Sequence, residues 1–126
     1  FHLTSLEAAA KEIKLPVERL KGISKREKPV VAQFQSVGVA PGFQHLGLAR
    51  RLAELALKEA KAENADLALC MAWKYDGCVP MGDNLTACGF CYLTDSRMAW
   101  YDNEKLICPV CKGRCKCDAA IYYKKL

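Results

Sequence analysis

An α/β domain built on a mixed sheet is the fold class this sequence predicts, and three observations predict it. Apolar, β-branched runs of strand length (Val30–Val39 and Asp66–Ala72) flank a longer amphipathic stretch of helical period, Gly47–Glu63. The chain has 126 residues, one domain's worth, enough to bury a single core. Its composition is 52% hydrophobic and 26% charged, an ordinary globular balance that excludes a disordered or fibrous chain.

The elements follow in order. Residues 4–22 read as helix in two pieces. Thr4 or Ser5 can cap the first, Leu6-Glu7-Ala8-Ala9-Ala10 are good helix formers, Pro16 opens the second piece and Gly22 closes it. A polar, basic connection from Ile23 to Lys28 ends at Pro29, and the strand Val30–Val39 begins. Pro41-Gly42 breaks that strand. In the helix Gly47–Glu63, Leu48, Leu52 and Leu55 fall on one face at i, i+4 and i+7, which predicts that this face is buried. Asn64 ends the helix, and Asp66–Ala72 suits a strand covered on both faces. Turn residues around Gly77, Pro80 and Gly82 lead to a short helix near Asn84–Cys88. Cys91–Ala99 and Ala119–Tyr123 read as the last strands. There is no internal repeat. The order for residues 30–126 is β-α-β-α-β-β, with residues 1–29 as a short basic helical arm ahead of it.

The net charge of +5 is concentrated at the two ends, residues 1–30 and 104–126, and the middle is slightly acidic. Such a balance suits a phosphate-bearing ligand and is compatible with nucleic acid, though an ordinary basic surface is a better account of it than either. No apolar run approaches the roughly 18–20 residues of a membrane helix. Phe1-His2-Leu3-Thr4 has neither the basic nor the apolar region of a signal peptide, so a cytoplasmic protein with reduced thiols is expected.

The most informative stretch runs from Val37 to Leu52. A strand ends, a Pro-Gly turn follows, and a helix begins among small residues. Unpaired amides at a helix N-terminus, with the positive end of the helix dipole behind them, form a site for a phosphate anion. Gly47 and Ala49 leave room for close approach of the backbone, and Arg50 and Arg51 add positive charge. Neither a Walker-type phosphate loop nor a dinucleotide fingerprint is present.

With Gln44-x-x-Gly47-x-Ala49 this segment resembles the GNAT superfamily of N-acetyltransferases, whose motif is Arg or Gln, two residues, Gly, one residue, then Gly or Ala. Leu85-Thr86-Ala87-Cys88-Gly89-Phe90 is similar to the family's short helix ending in Gly-Phe, and one strand lies between the two motifs. The likeness covers residues 30–98 and implies a GNAT-like mixed sheet that binds acetyl-CoA as co-substrate. By that resemblance the main chain of Val37 and Val39 would hold the pantetheine arm. The loop Gln44, His45, Leu46, Gly47, Leu48, Ala49, with Arg50 beside it, would hold the pyrophosphate. The acyl group would sit where the strands at 30–39 and 67–72 part, and an amine acceptor would attack the thioester directly. Two departures stand out. The chain before Val30 is about half the family's usual length, so the N-terminal part of the fold is short or missing. An uncovered Val30–Val39 edge would then invite a homodimer. The family's Tyr, the acid for the thiolate, falls here at Leu85, so the sequence names no catalytic residue.

Eight cysteines are many for this length, and four crowd together as Cys108-x2-Cys111-x3-Cys115-x-Cys117 in the loop before the last strand. Four thiolates with Lys112, Arg114 and Lys116 beside them suit zinc. Cys88-x2-Cys91 with Cys108-x2-Cys111 is an alternative ligand set of zinc-ribbon spacing, and disulfides or metal-free thiols are a third outcome. Two other functions stay open: a non-catalytic acyl-CoA-binding protein, and a zinc-containing nucleic-acid module whose helix-turn-helix would lie in residues 9–20.

Overall fold

The structure is a computed structural model and describes residues 2–21, 23, 29–35, 48–74, 77, 79, 82–99, 101, 107–108, 112–114 and 116–126. Among the described residues eleven elements follow one another: β1 (His2–Ser5), α1 (Leu6–Ile13), α2 (Glu18–Lys21), β2 (Val30–Gln35), α3 (Leu48–Ala62), β3 (Leu67–Lys74), α4 (Gly82–Ala87), β4 (Cys91–Ser96), β5 (Ile107–Cys108), β6 (Gly113–Arg114) and β7 (Asp118–Lys125). Five strands form one mixed sheet in the order β1-β2-β3-β7-β4, and β5-β6 is a separate hairpin. Among the described strands only β2 and β3 pair in parallel; α3 carries the chain between them, as a parallel pair requires. Asp66 sets their register: the Val30 amide donates to its carboxylate at 2.8 Å, and its own amide donates to the Val30 carbonyl at 2.8 Å.

Strand alternation divides the core between the sheet's two faces. Ala32, Phe34, Ala68, Cys70, Ala72, Ala120 and Tyr122 meet α3 and α4. Val31, Leu67, Leu69, Met71, Ala119 and Ile121 meet α1 and α2 through Leu6, Ala9, Ala10, Ile13 and Leu20. Residues on both sides of position 29 therefore share one core.

The start of the chain differs from the expected helix. His2–Ser5 is a strand, antiparallel to β2 from His2↔Gln33 to Ser5↔Val30, and it occupies the β2 edge over which two copies were expected to pair. Ser5 ends this strand in extended conformation and caps α1, its hydroxyl accepting from the Ala8 amide at 3.1 Å.

The buried face of α3 also differs. The period is helical as expected, but the phase is rotated: Leu52 and Leu55 are 50% and 58% exposed, while Ala53, Leu57 and Ala60 are buried. The sheet beneath is paved with alanines, so small helix residues allow the close approach that leucines would prevent. Leu52 and Leu55 instead line an open groove with His2, Leu3, Ala56, Glu59 and Glu63.

Candidate functional site

β2 and β3 end side by side at their carboxyl ends, the part of an open α/β sheet where ligands bind. Their last described pair is Gln35↔Met71, and β3 runs on to Lys74. Of the expected cofactor residues, Val37, Val39, Gln44, His45, Leu46 and Gly47 lie outside the described residues. Leu48 opens α3, Ala49 follows in its first turn, and the Arg50 side chain is exposed. This first turn carries no acidic residue, whereas α1, α2 and α4 begin with Glu7, Glu18 and Asp83. The positive end of the α3 dipole is thus not offset by a carboxylate of its own first turn.

The Gly-Phe pair braces this end of the molecule. Gly89 has φ +93, a left-handed conformation that ends α4, and the Phe90 amide returns to the Leu85 carbonyl at 3.0 Å. A side chain at Gly89 would begin 2.9 Å from the Lys124 ammonium, which itself donates to the Cys88 carbonyl at 2.8 Å. Phe90 then packs edge-on against Phe34 of β2, ring centres 6.0 Å apart. The Cys88 thiol sits 3.8 Å from the Arg50 carbonyl, so α4 is tied to the first turn of α3 as well as to β2. Burial, ahead of the nearby Glu54 charge, pushes that thiol up.

Polar groups gather on the same face. Lys74 and Asp95 form an ion pair at 2.6 Å, and the Tyr92 hydroxyl donates to the other Asp95 oxygen at 2.8 Å. Burial favours the protonated Asp95, but hydrogen bonds from Lys74 and Tyr92 outweigh it and hold the carboxyl below its ordinary value. With both oxygens engaged, Asp95 links β4 to β3. Tyr122, one strand away, lies beneath the start of α4, where a side chain at Gly82 would begin 3.2 Å from its hydroxyl. Burial first, then the Asp83 and Asp95 charges, push the Tyr122 phenol up, so it stays protonated. No sequence pattern marks this, because Tyr122 reads as one more residue of an apolar strand.

The opposite face holds an anomaly. Gln33 is wholly buried, and among the described residues neither its Nε2 nor its Oε1 has a hydrogen-bond partner. Leaving a buried donor or acceptor unpaired costs about 1–3 kcal/mol. Nothing in the sequence pattern announces this, since a lone glutamine in a β-strand usually faces water.

The cysteines separate. In the β5-β6 hairpin Cys108 pairs with Gly113, and Lys112, just before it, adopts φ 54. Cys117 is buried immediately before β7. Cys111 and Cys115, and the side chain of Cys108, lie outside the described residues; among the described ones no three metal-binding side chains come together. Cys88 points inward to Arg50 while Cys91 is exposed on the edge strand, which disfavours the pair as half of a ribbon site.

No sequence-family model matches the chain, and no curated protein sequence does. Solved structures do. A chain of the NatC complex, crystallised with a Gag peptide and CoA, superposes with a TM-score of 0.60 at 16% identity, covering 80% of this chain and 54% of the other. An acetyltransferase of Bacillus subtilis in complex with CoA gives 0.59 at 16% identity, with coverages of 79% and 68%. A GNAT-family protein of Desulfovibrio desulfuricans gives 0.54 at 20% identity, with 75% and 52%. The fold is that of the GNAT acetyltransferases. The chain spans about half the length of the first and third of these chains and about two thirds of the second. Within the GNAT fold the Gly-Phe motif serves here as packing, and Leu85, at the position of the family's Tyr, is 2% exposed in the core.

Proposed function

We propose that this chain is the acyl-CoA-binding half of an N-acetyltransferase that passes an acetyl group from acetyl-CoA to an amine by direct attack. The observation that carries the reading is the N-terminus of α3, whose first turn carries no acidic residue, at the carboxyl end of the parallel β2-β3 pair in a GNAT fold. Two of the similar structures hold CoA. The Val37 and Val39 main chain would carry the pantetheine arm and the loop Gln44–Ala49 the pyrophosphate, with Arg50 adding charge.

Gly47→Glu tests this. A carboxylate just ahead of α3 favours the helix, so the variant should fold, but it competes with the phosphates for the same amides. Affinity for acetyl-CoA should fall at least tenfold, about 1.4 kcal/mol. Unchanged binding by calorimetry in a folded variant would show that the phosphates lie elsewhere. A second reading, acyl-CoA binding without catalysis, draws support from Leu85 being sealed in the core where a proton donor was expected. Turnover of acetyl-CoA with a panel of amines separates the two. The nucleic-acid reading loses ground, because α2 is a single turn with Leu20 buried, too short to lie along a groove.

Zinc held by Cys108, Cys111, Cys115 and Cys117 would cross-link the segment between β4 and β7. The Cys108-x2-Cys111 spacing, with Cys108 at the end of β5, is what favours it. Elemental analysis of protein purified without chelator should find about one zinc per chain. Cys108→Ser with Cys111→Ser should release it. Cys70→Ser should not, because Cys70 is buried in the core, where burial pushes its thiol up to about 12. A metal-free native protein would end the zinc assignment.

Among the described residues no helix is long and apolar enough to cross a membrane.

A further inference from the structure

The helix α3 is seated on the sheet by Ala53, Leu57 and Ala60. Beside them Leu52, Leu55, Ala56, Glu59 and Glu63 recur at helical spacing and make a second stripe along the helix. β1 is the last strand on its side of the sheet among the described residues. Its Leu3 lies opposite Ala32 and so faces the same side as α3. Together with His2 and Leu3 the second stripe walls an open groove of about 720 Å³, room for several side chains. Leu3, Leu52 and Leu55 are all exposed there.

Backbone and charge together select what such a groove holds. Alternate residues of an edge strand turn their N–H and C=O groups outward, a template for one more strand. α3 runs antiparallel to β2, as a connection between parallel strands must, and β1 is antiparallel to β2 as well. The helix and β1 therefore point the same way. Leu52 and Leu55 stand towards the start of this common direction, Glu59 and Glu63 towards its end. No Lys or Arg lines the groove, and among the described residues neither glutamate has an ion-pair partner. A second copy of this chain matches it poorly. A two-fold partner continuing the sheet through β1 would lay its own α3 alongside in the opposite sense, so the leucines of one copy would meet the glutamates of the other.

We propose that this groove binds an extended basic and apolar segment of a partner protein, which adds to the outer edge of β1 as an antiparallel strand. Alternate side chains of the segment, of leucine or valine kind, rest on Leu3, Leu52 and Leu55, and those between them face the other way. Its lysine or arginine stands on the N-terminal side, because an antiparallel strand enters beside Glu63 and Glu59 and leaves beside Leu52. The glutamates follow Leu55 along the helix by about 6–12 Å. The basic residue therefore precedes the apolar ones by about two to four positions, at the rise of a strand. Main-chain hydrogen bonds supply affinity, and the leucines and glutamates select the sequence. The interaction is independent of the acyl-transfer reading given above.

The probe is a synthetic peptide, blocked at both ends, with two lysines followed by alternating threonine and leucine, together with a twin carrying glutamates in place of the lysines. By calorimetry the unaltered protein should bind the lysine peptide about tenfold or more tightly than the twin, a preference that weakens as salt is raised. Glu59→Lys with Glu63→Lys should reverse the preference. Leu52→Ser with Leu55→Ser should abolish binding and, because both side chains are exposed, leave the melting temperature nearly unmoved. Amide hydrogen exchange should slow in β1 when the lysine peptide binds. No binding of the lysine peptide, equal affinity for the two peptides, or undiminished binding by the serine variant would overturn the proposal. So would β1 amides that exchange as before, since the peptide would then lie on α3 alone. A dimer of the unaltered protein at micromolar concentration, broken by the serine variant, would overturn it in favour of a second copy.

Discussion

Replacing Phe90 by alanine should lower the stability of the domain by about 3–5 kcal/mol, read from urea unfolding. Phe90 is 3% exposed, and its ring meets Phe34 at an interplanar angle of 66°, an edge-to-face contact. Such pairs contribute about 0.5–1.5 kcal/mol beyond the area they bury. The hole left behind has little means of closing. Phe34 belongs to a strand paired on both sides, and the chain on the other side of the gap is fixed by the Gly89 turn and by Lys124 on the Cys88 carbonyl. A loss below about 1 kcal/mol would mean that the Gly-Phe pair is not a packing device and is present for some other reason. Phe34 stands two residues before the segment 36–47, so the same brace that holds α4 also steadies the strand leading into the proposed cofactor loop.

Much of this architecture was legible in the sequence, because long periodic stretches declare themselves locally. The strands near 30, 67 and 119, the helix from 48 and the short helix before Gly89-Phe90 all stand within a few residues of where their patterns placed them. What was missed depends on partners distant in sequence. β1 holds four residues, His2-Leu3-Thr4-Ser5, followed at once by strong helix formers, and its strand character comes from pairing with β2. Leucines at helical spacing point to a buried face, but α3 turns other residues inward, because this sheet face is lined with Ala32, Ala68, Ala72 and Ala120 and accepts alanines. The candidate site was read from a motif, and most of that motif lies outside the described residues. Gln33 and Tyr122 could not be singled out at all. Their interest lies in burial and missing or shifted partners, which a strand pattern does not encode.

The division at residue 29 can be tested by Ile13→Ala, for which a loss of about 2–5 kcal/mol is expected. Ile13 ends α1, is fully buried, and belongs to the same core as Leu67 and Leu69 of β3 and Ile121 of β7. Next to it, the Lys14 ammonium donates to the Ala99 carbonyl at 2.6 Å, joining α1 to the turn after β4. An arm folding by itself would lose its own structure on truncation and leave the sheet's unfolding midpoint where it was. A helix that forms half of one core would instead move the whole transition. Far-UV circular dichroism reports the helices, and fluorescence of Trp73, on β3, read in a Trp100→Phe background, reports the sheet. Both should shift to the same lower urea midpoint with an unchanged slope, as a single cooperative unit requires. Separate transitions, with the fluorescence midpoint unmoved, would mean that residues 1–29 are an appendage after all. The expectation here is one transition, because six residues of that segment, Leu6, Ala9, Ala10, Ile13, Leu20 and Ile23, are buried in the core they share with the sheet.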